Sequence, residues 1–246
     1  MMQLPQNVTR LCSGKSFSFG CRPALSCFGE CCRELDLALT PYDMLRLCRE
    51  LQMSPKDFFD RYVVLEQDEP GTFPGVYLGM VDDGRASCPF ITENGCRVYR
   101  GRPGACRAYP VGRGVTRDAD GNMQEIHILV REGHCHGFAE PPVHTVAEWF
   151  EDQGMLEYNA VNDEVLTLVQ HEQFRRGVDL TPAAKDTYLL ALYRLDAFHR
   201  LVSTPDFYNR YLPDKEERRA ILADDLNLLR FGIRWLQKVL LKEKNG

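Results

Sequence analysis

Ten cysteines in 246 residues constrain this chain more than any other feature. Eight of them lie in two groups of glycine- and proline-rich turns, at 21–32 and 88–135, while Cys12 and Cys48 stand apart. A buried thiol used only for packing behaves as a small apolar group and does not need such turns. We therefore expect one metal-binding apparatus. Its candidate ligands are Cys21, Cys27, Cys31, Cys32, Cys88, Cys96, Cys106 and Cys135.

Composition and charge narrow the class of protein. A hydrophobic content of 44% and a charged content of 26% are those of an ordinary globular chain. The formal net charge of −5 argues against broad binding of nucleic acid. No apolar run approaches the roughly 18 residues that a membrane helix needs, and the polar residues 1–19 do not form a signal peptide. We expect a cytoplasmic protein, in which cysteines indicate metal or redox chemistry.

Helix signals follow the first cysteine group. Thr40-Pro41 and Ser54-Pro55 each combine an N-cap residue with proline in the first turn, and the second helix is expected to run to about Val64. Cys48 falls on the apolar side of the first helix, so it is expected to be packing. Residues 72–81 and 123–130 are expected strands.

The second cysteine group begins with a turn signal, Asn94-Gly95, directly before Cys96. Helical periodicity then replaces loops after Pro141-Pro142, with the last helix starting at Pro213. These apolar stripes are core or partner contacts rather than cofactor sites. The fold class is therefore α+β. Its expected segments are a leader (1–16), a small loop-rich cysteine-cluster domain with short helices and strands (17–140), and a mostly α-helical region (141–246).

Thiolates suit both zinc and iron–sulfur clusters, and both commonly take four per site. Eight cysteines would fill two such sites, or four would hold one cluster while the others do something else. If the segment is extended, adjacent Cys31 and Cys32 would point to opposite sides and serve different sites. The intervals do not fix the partition.

The spacing favours iron–sulfur, most simply [4Fe-4S], over zinc. None of the intervals is a zinc-ribbon spacing, and Cys88-Pro89 is similar to a ferredoxin ligand run. Zinc is the alternative, and a metal-free thiol or disulfide role also stays open.

The ordered motifs resemble those of the YkgJ-type cysteine-cluster family. They are Phe19-x-Cys21, Cys27-x₃-Cys31-Cys32-Arg33, Cys88-Pro89-Phe90, Gly95-Cys96-x-Val98-Tyr99 and Arg102-Pro103-x₂-Cys106-Arg107-x-Tyr109-Pro110. The resemblance spans about Phe17 to His136 and implies a zinc- or iron-chelating domain, one that also occurs in flagellin lysine N-methylases. The interval from Cys21 to Cys27 is longer than the family's usual one.

Six arginines lie between residues 97 and 117, a stretch without an acidic residue. They either bind an anionic group or offset the charge of thiolate-bound metal. Arg102 and Arg107 belong to the family motifs, so they are the candidates for cofactor or substrate contacts. His134 and His136 are secondary candidate ligands. No Ser/His/Asp or paired-carboxylate arrangement identifies a catalytic group, and whether the chain is an enzyme is left open.

Three functions follow as hypotheses. The first is an iron–sulfur protein in electron transfer or protein modification, with a protein partner or protein substrate. The second is a zinc-stabilised protein-interaction module. The third, implied only by the family resemblance, is an S-adenosylmethionine-dependent protein lysine N-methylase.

Overall fold

The computed structural model describes residues 5–12, 14–66, 71–118, 122–212 and 214–241. It contains 48% helix and 18% strand in small separate sheets, so the predicted α+β class is confirmed. The strands are β1 (Val8–Leu11), β2 (Ser16–Ser18), β3 (Val63–Glu66), β4 (Gly75–Leu78), β5 (Ile91–Thr92), β6 (Gly95–Cys96), β7 (Val111–Arg117), β8 (Met123–Val130) and β9 (Val143–Thr145). The helices are α1 (Pro41–Leu51), α2 (Pro55–Tyr62), α3 (Gly104–Ala108), α4 (Val146–Asp152), α5 (Met155–Val169), α6 (Glu172–Arg175), α7 (Pro182–Leu192), α8 (Leu195–Val202), α9 (Pro205–Tyr211), α10 (Lys215–Ala223) and α11 (Asp225–Leu240).

The chain divides into two compact units. The first comprises the described residues of Met1–Leu35 and Met80–Glu157, and the second those of Asp36–Gly79 and Tyr158–Gly246. The second unit thus joins α1, α2, β3 and β4 with the helices that follow residue 157. The segment boundaries expected at residues 16 and 140 stay a prediction.

An antiparallel sheet in the order β1-β8-β7 forms one part of the first unit. Val8 pairs with Val130, and Val111 pairs with Leu129. Residues 8–11, which fall in the expected leader segment, form the strand β1. The segment becomes a strand because β8 offers it a ladder of backbone hydrogen bonds, a long-range partner that local composition does not reveal.

Aromatic side chains form the core of the first unit around Phe19, which is 3% exposed. Its ring meets those of Trp149, Phe138 and Tyr109 with centroids 5.5, 5.3 and 5.7 Å apart, all edge-to-face. Such pairs contribute about 0.5–1.5 kcal/mol beyond the area they bury. The Phe19 side chain therefore fixes the start of the cysteine-bearing loop two residues before Cys21.

The second unit begins with the predicted α1. The Thr40 hydroxyl accepts the Asp43 N–H at 3.2 Å, and the Asp43 carboxylate accepts the Thr40 N–H at 2.8 Å, which completes a capping box. The second predicted helix ends at Tyr62 rather than Val64, because Val63–Glu66 pairs with β4 as a strand. The strand expected over 72–81 is shorter than predicted, at Gly75–Leu78.

The predicted apolar stripes line the core of the second unit. Val161, Leu168, Phe198, Leu229 and Leu236 are all fully buried. The expected start of the last helix, Pro213, lies outside the described residues, and the predicted apolar face divides between two helices, α10 and α11. The Asp224 carboxylate accepts the N–H groups of Leu226 and Asn227, so it caps a new helix there.

In the described part of the chain, no helix is both long enough and apolar enough to cross a membrane.

Candidate metal centre

The eight candidate ligands all lie in the first unit. Three of their side chains are exposed and five are half-buried, and no disulfide joins any of the ten cysteines, which are all described. Cys48 lies in the second unit and is 5% exposed, so its predicted packing role is confirmed. The exposed cysteines are Cys21, Cys31 and Cys106.

The loop that follows Phe19 contacts the segment around Cys135. The Gly20 N–H donates to the Gly137 carbonyl at 3.0 Å. The His136 N–H donates to the Cys27 sulfur at 3.3 Å, and the His136 ring shares a 2.9 Å hydrogen bond with Ser26. These contacts bring the Cys21–Cys27 loop alongside Cys135.

Cys31 and Cys32 lie in a 3-10 helix, Glu30–Cys32, and not in the extended segment that the sequence argument supposed. The helix starts after Gly29, whose φ of +84° favours glycine. The chain becomes extended only at Arg33, which bridges Ser87. The Cys88 N–H donates to the Cys32 carbonyl at 2.8 Å, so the backbones at these two cysteines are joined directly.

Cys88 and Cys96 are held by a turn and a short hairpin. The Ile91 N–H donates to the Cys88 carbonyl at 3.1 Å, which closes the turn over Pro89. Ile91 pairs with Cys96 and Thr92 with Gly95 across β5 and β6, so the predicted turn forms one residue earlier, at Glu93-Asn94. Gly95 has a φ of +102°, which a residue with a side chain rarely adopts.

Cys106 lies in α3, a short helix that two side chains tie down at its end. The Arg107 guanidinium donates to the carbonyls of Gln153 at 2.8 Å and Arg102 at 3.2 Å, and also to that of Arg100. The Trp149 indole donates to the Ala108 carbonyl at 2.8 Å. These bonds fix the helix that carries Cys106.

Arg102, like Arg107, donates hydrogen bonds to other residues of the protein. Its guanidinium donates to the Tyr99 carbonyl at 2.8 Å and to the Gln153 side chain at 2.5 Å, and lies 3.8 Å from the Tyr99 ring centre. Burial lowers the pKa of Arg102. Both arginines therefore brace the site, and their predicted contact with a cofactor stays a prediction.

Electrostatic interactions group Cys21 with Cys31, Cys135 and Cys27. Burial raises the pKa of the Cys21 thiol to about 11, the negative charge on these three cysteines adds to the rise, and Arg102 partly offsets it. Thiols that disfavour one another's ionisation are sites where a bound cation restores the thiolate form.

Cys32 shares the neighbour Cys31 with Cys21, and its other charged neighbours are Cys88 and Cys106. The hydrogen bond with Cys31 raises the pKa of Cys32, followed by burial and by charge on Cys31, Cys88 and Cys106. The same bond lowers the pKa of Cys31 to about 7. Burial also raises the pKa of Cys88, with a contribution from Cys96 and a partial offset from Arg97.

Two neighbours of the cysteines were not among the candidate site residues predicted from the sequence. The Tyr109 hydroxyl is buried without a hydrogen-bond partner of ordinary geometry among the described residues. It lies close enough to Cys135 to interact, and burial followed by that interaction raises its pKa. The Glu132 carboxylate interacts with Cys31 and Tyr109 and lies 3.4 Å from the His134 ring. A single glutamate in a loop carries no sequence signal.

The donor set fits a soft metal, because thiolate sulfur selects zinc and iron–sulfur clusters. Over the described ranges, no three or more His, Cys, Asp or Glu side chains converge closely enough to hold a metal ion as they stand. A metal would therefore have to draw the thiols together. The Cys21, Cys31 and Cys106 side chains are exposed, and metal sites commonly order on binding.

Comparison with known proteins finds one family model that matches the cysteine region. Residues 20–136 match the model named CxxCxxCC, described as "Putative zinc- or iron-chelating domain". The match includes all eight candidate ligands. Neither a curated protein nor a solved structure matches the chain significantly. Over residues 20–136, just under half of its length, the chain is therefore similar to the CxxCxxCC family.

Proposed function

We propose that the cysteine region holds an iron–sulfur cluster of the [4Fe-4S] type and serves electron transfer to, or redox modification of, a protein partner. The observation that carries this proposal is the concentration of eight thiols on the turns of one compact unit, in a region that matches a family described as zinc- or iron-chelating. Bound there, such a cluster supplies one-electron chemistry at a potential that its surroundings tune.

The surroundings of the thiols support a redox role. Arg102 interacts with Cys21, Cys96 and Cys106, and Arg97 interacts with Cys88. The Cys27 sulfur already accepts a backbone N–H. Positive charge and N–H···S bonds both favour the more reduced, more negative state of a cluster and so raise its potential.

The exposure of the site supports a protein partner. The Cys21, Cys31 and Cys106 side chains reach the surface, and the Tyr99 ring beside Arg102 is 60% exposed. Electron exchange between proteins needs close approach, which an exposed site allows. The ten cysteines, none of them in a disulfide, suit a reducing compartment, and we propose the cytoplasm.

Reduction tests this function. Protein purified without oxygen should be brown, should lose visible absorbance on addition of dithionite, and should develop a low-temperature electron paramagnetic resonance signal. Reoxidation should reverse both changes. A metal-loaded protein that stays colourless and silent through this cycle would refute a redox role.

Zinc is the second candidate, because the family description includes it and every donor is a thiol that zinc also accepts. The chain would then be an interaction module whose cysteine region needs the metal to fold. Zinc without sulfide in the purified protein, together with loss of structure on chelation, would establish this function instead.

A further inference from the structure

We propose that the cysteine region forms two separate four-thiol metal sites, divided between the adjacent residues Cys31 and Cys32. Set A comprises Cys21, Cys27, Cys31 and Cys135. Set B comprises Cys32, Cys88, Cys96 and Cys106. This partition rests on the proposed metal-binding function and assigns the ligands that sequence spacing leaves open.

Backbone contacts assemble set A. The Gly20–Gly137 hydrogen bond of 3.0 Å ties the chain before Cys21 to the chain after Cys135. The 3.3 Å hydrogen bond from the His136 N–H to the Cys27 sulfur joins the end of the Cys21–Cys27 loop to the segment around Cys135. The Glu30 N–H donates to the Cys27 carbonyl at 3.0 Å, so Cys31 follows Cys27 after one turn, and its charge acts on Cys21 together with the charges on Cys27 and Cys135.

Different contacts assemble set B. The 2.8 Å hydrogen bond from Cys88 to Cys32, and the Arg33–Ser87 bridge beside it, join the first two ligands. The Cys88 turn leads straight into the hairpin in which Ile91 faces Cys96. Cys106, in α3, completes the set, and its charge acts on Cys32.

The 3-10 helix explains why the boundary falls between neighbours. With three residues per turn, successive side chains diverge by about 120°. The main chain of Cys32 enters the pairing with Cys88, while Cys31 remains on the exposed side of the helix. Cys31 and Cys32 are neighbours within the same 3-10 helix, so the two sites are expected to adjoin one another.

A matched pair of variants tests the partition. Cys31→Ser and Cys32→Ser make the same change at adjacent positions of one short helix. Each should lower the iron-plus-zinc content of protein purified without oxygen to about half, since each leaves one complete four-thiol site. The double variant should retain almost none.

Pairs within and across the sets extend the test. Cys27→Ser with Cys135→Ser should lose no more metal than either alone, whereas Cys27→Ser with Cys96→Ser should lose nearly all of it. A Cys31/Cys32 double variant that is no worse than either single variant would place both thiols in one site and overturn the partition. Wild-type protein without iron or zinc would instead refute the metal-binding function and the partition with it.

A titration of the wild-type chain keeps the inference testable if the variants fail to fold. Apoprotein is titrated with Co²⁺, and sulfur-to-cobalt absorption is followed together with protection of cysteines from alkylation. We expect the titration curve to break at about two equivalents of Co²⁺. All eight thiols of the two sets should then be protected from alkylation, and the alkylation of Cys48 should not change. A break near one equivalent with four protected thiols would contradict two sites while leaving metal binding intact.

Discussion

Cys31 and Cys48 show how surroundings determine the role of a cysteine. Cys48 lies in α1 among apolar side chains, and burial raises its pKa to about 12, so it stays a protonated thiol. Cys31 is exposed, and the hydrogen bond from Cys32 lowers its pKa to about 7. The sequence separates them because Cys48 falls on a helical apolar stripe, whereas Cys31 falls among turns.

We expect Cys31→Ser and Cys48→Ser to have opposite effects. Cys31→Ser should lower the metal content while changing the stability of the apoprotein little, because the side chain is exposed. Cys48→Ser should leave the metal content unchanged but lower the free energy of unfolding by about 1–3 kcal/mol, since it buries a hydroxyl. Metal analysis and urea unfolding measure the two effects. A Cys48→Ser protein that lacks metal would contradict the packing role.

Elements governed by local rules could be predicted, and those governed by distant partners could not. The α1 cap follows from Thr40 and Pro41, and the β5–β6 hairpin from Asn94-Gly95. Residues 8–11 become a strand only because β8 lies beside them, and no local sequence pattern predicts this pairing. The eight ligands could be predicted from composition, but their grouping depends on backbone contacts such as that of Cys88 with Cys32.

The contact between the Cys21 loop and the Cys135 segment depends on a glycine. A Cβ atom at Gly137 would lie 2.6 Å from the Phe19 ring and 2.8 Å from the Gly20 carbonyl oxygen. Gly137→Ala should therefore push the loop away, lower stability by about 1–3 kcal/mol, and reduce metal content.

Gly133 supplies the matched control, because a Cβ there has no described atom within 4 Å. Thermal unfolding and metal analysis of the Gly133→Ala and Gly137→Ala variants measure the difference. Equal metal content in both variants would show that this contact does not shape the site.

The whole chain combines two units of different construction. The second unit has a continuous apolar core that includes Phe198, Leu229 and Leu236. The first unit has small sheets, an aromatic cluster around Phe19, and cysteine-bearing turns. The α+β class and the helical end were accessible from periodicity. The grouping of residues 36–79 with the later helices was not, because it arises from long-range packing.

Metal removal should affect the two units unequally. We expect a chelator to reduce amide hydrogen-exchange protection in β5, β6 and α3, which carry or adjoin the thiols. The core helices α7, α8 and α11 should keep theirs, because buried apolar contacts hold them. Exchange followed by mass spectrometry, with and without chelator, compares the units. Uniform loss of protection across both units would mean that the metal stabilises the whole chain, and no change anywhere would mean that it stabilises neither unit.

The most direct measurement is the iron, zinc and acid-labile sulfide content of the full chain purified without oxygen. We expect iron with an equal amount of sulfide, which is the composition of a [4Fe-4S] cluster held by thiolates, together with a broad absorption in the visible range. Zinc without sulfide would contradict the iron–sulfur assignment and favour the interaction module. Protein with neither metal would contradict metal binding by the eight cysteines altogether.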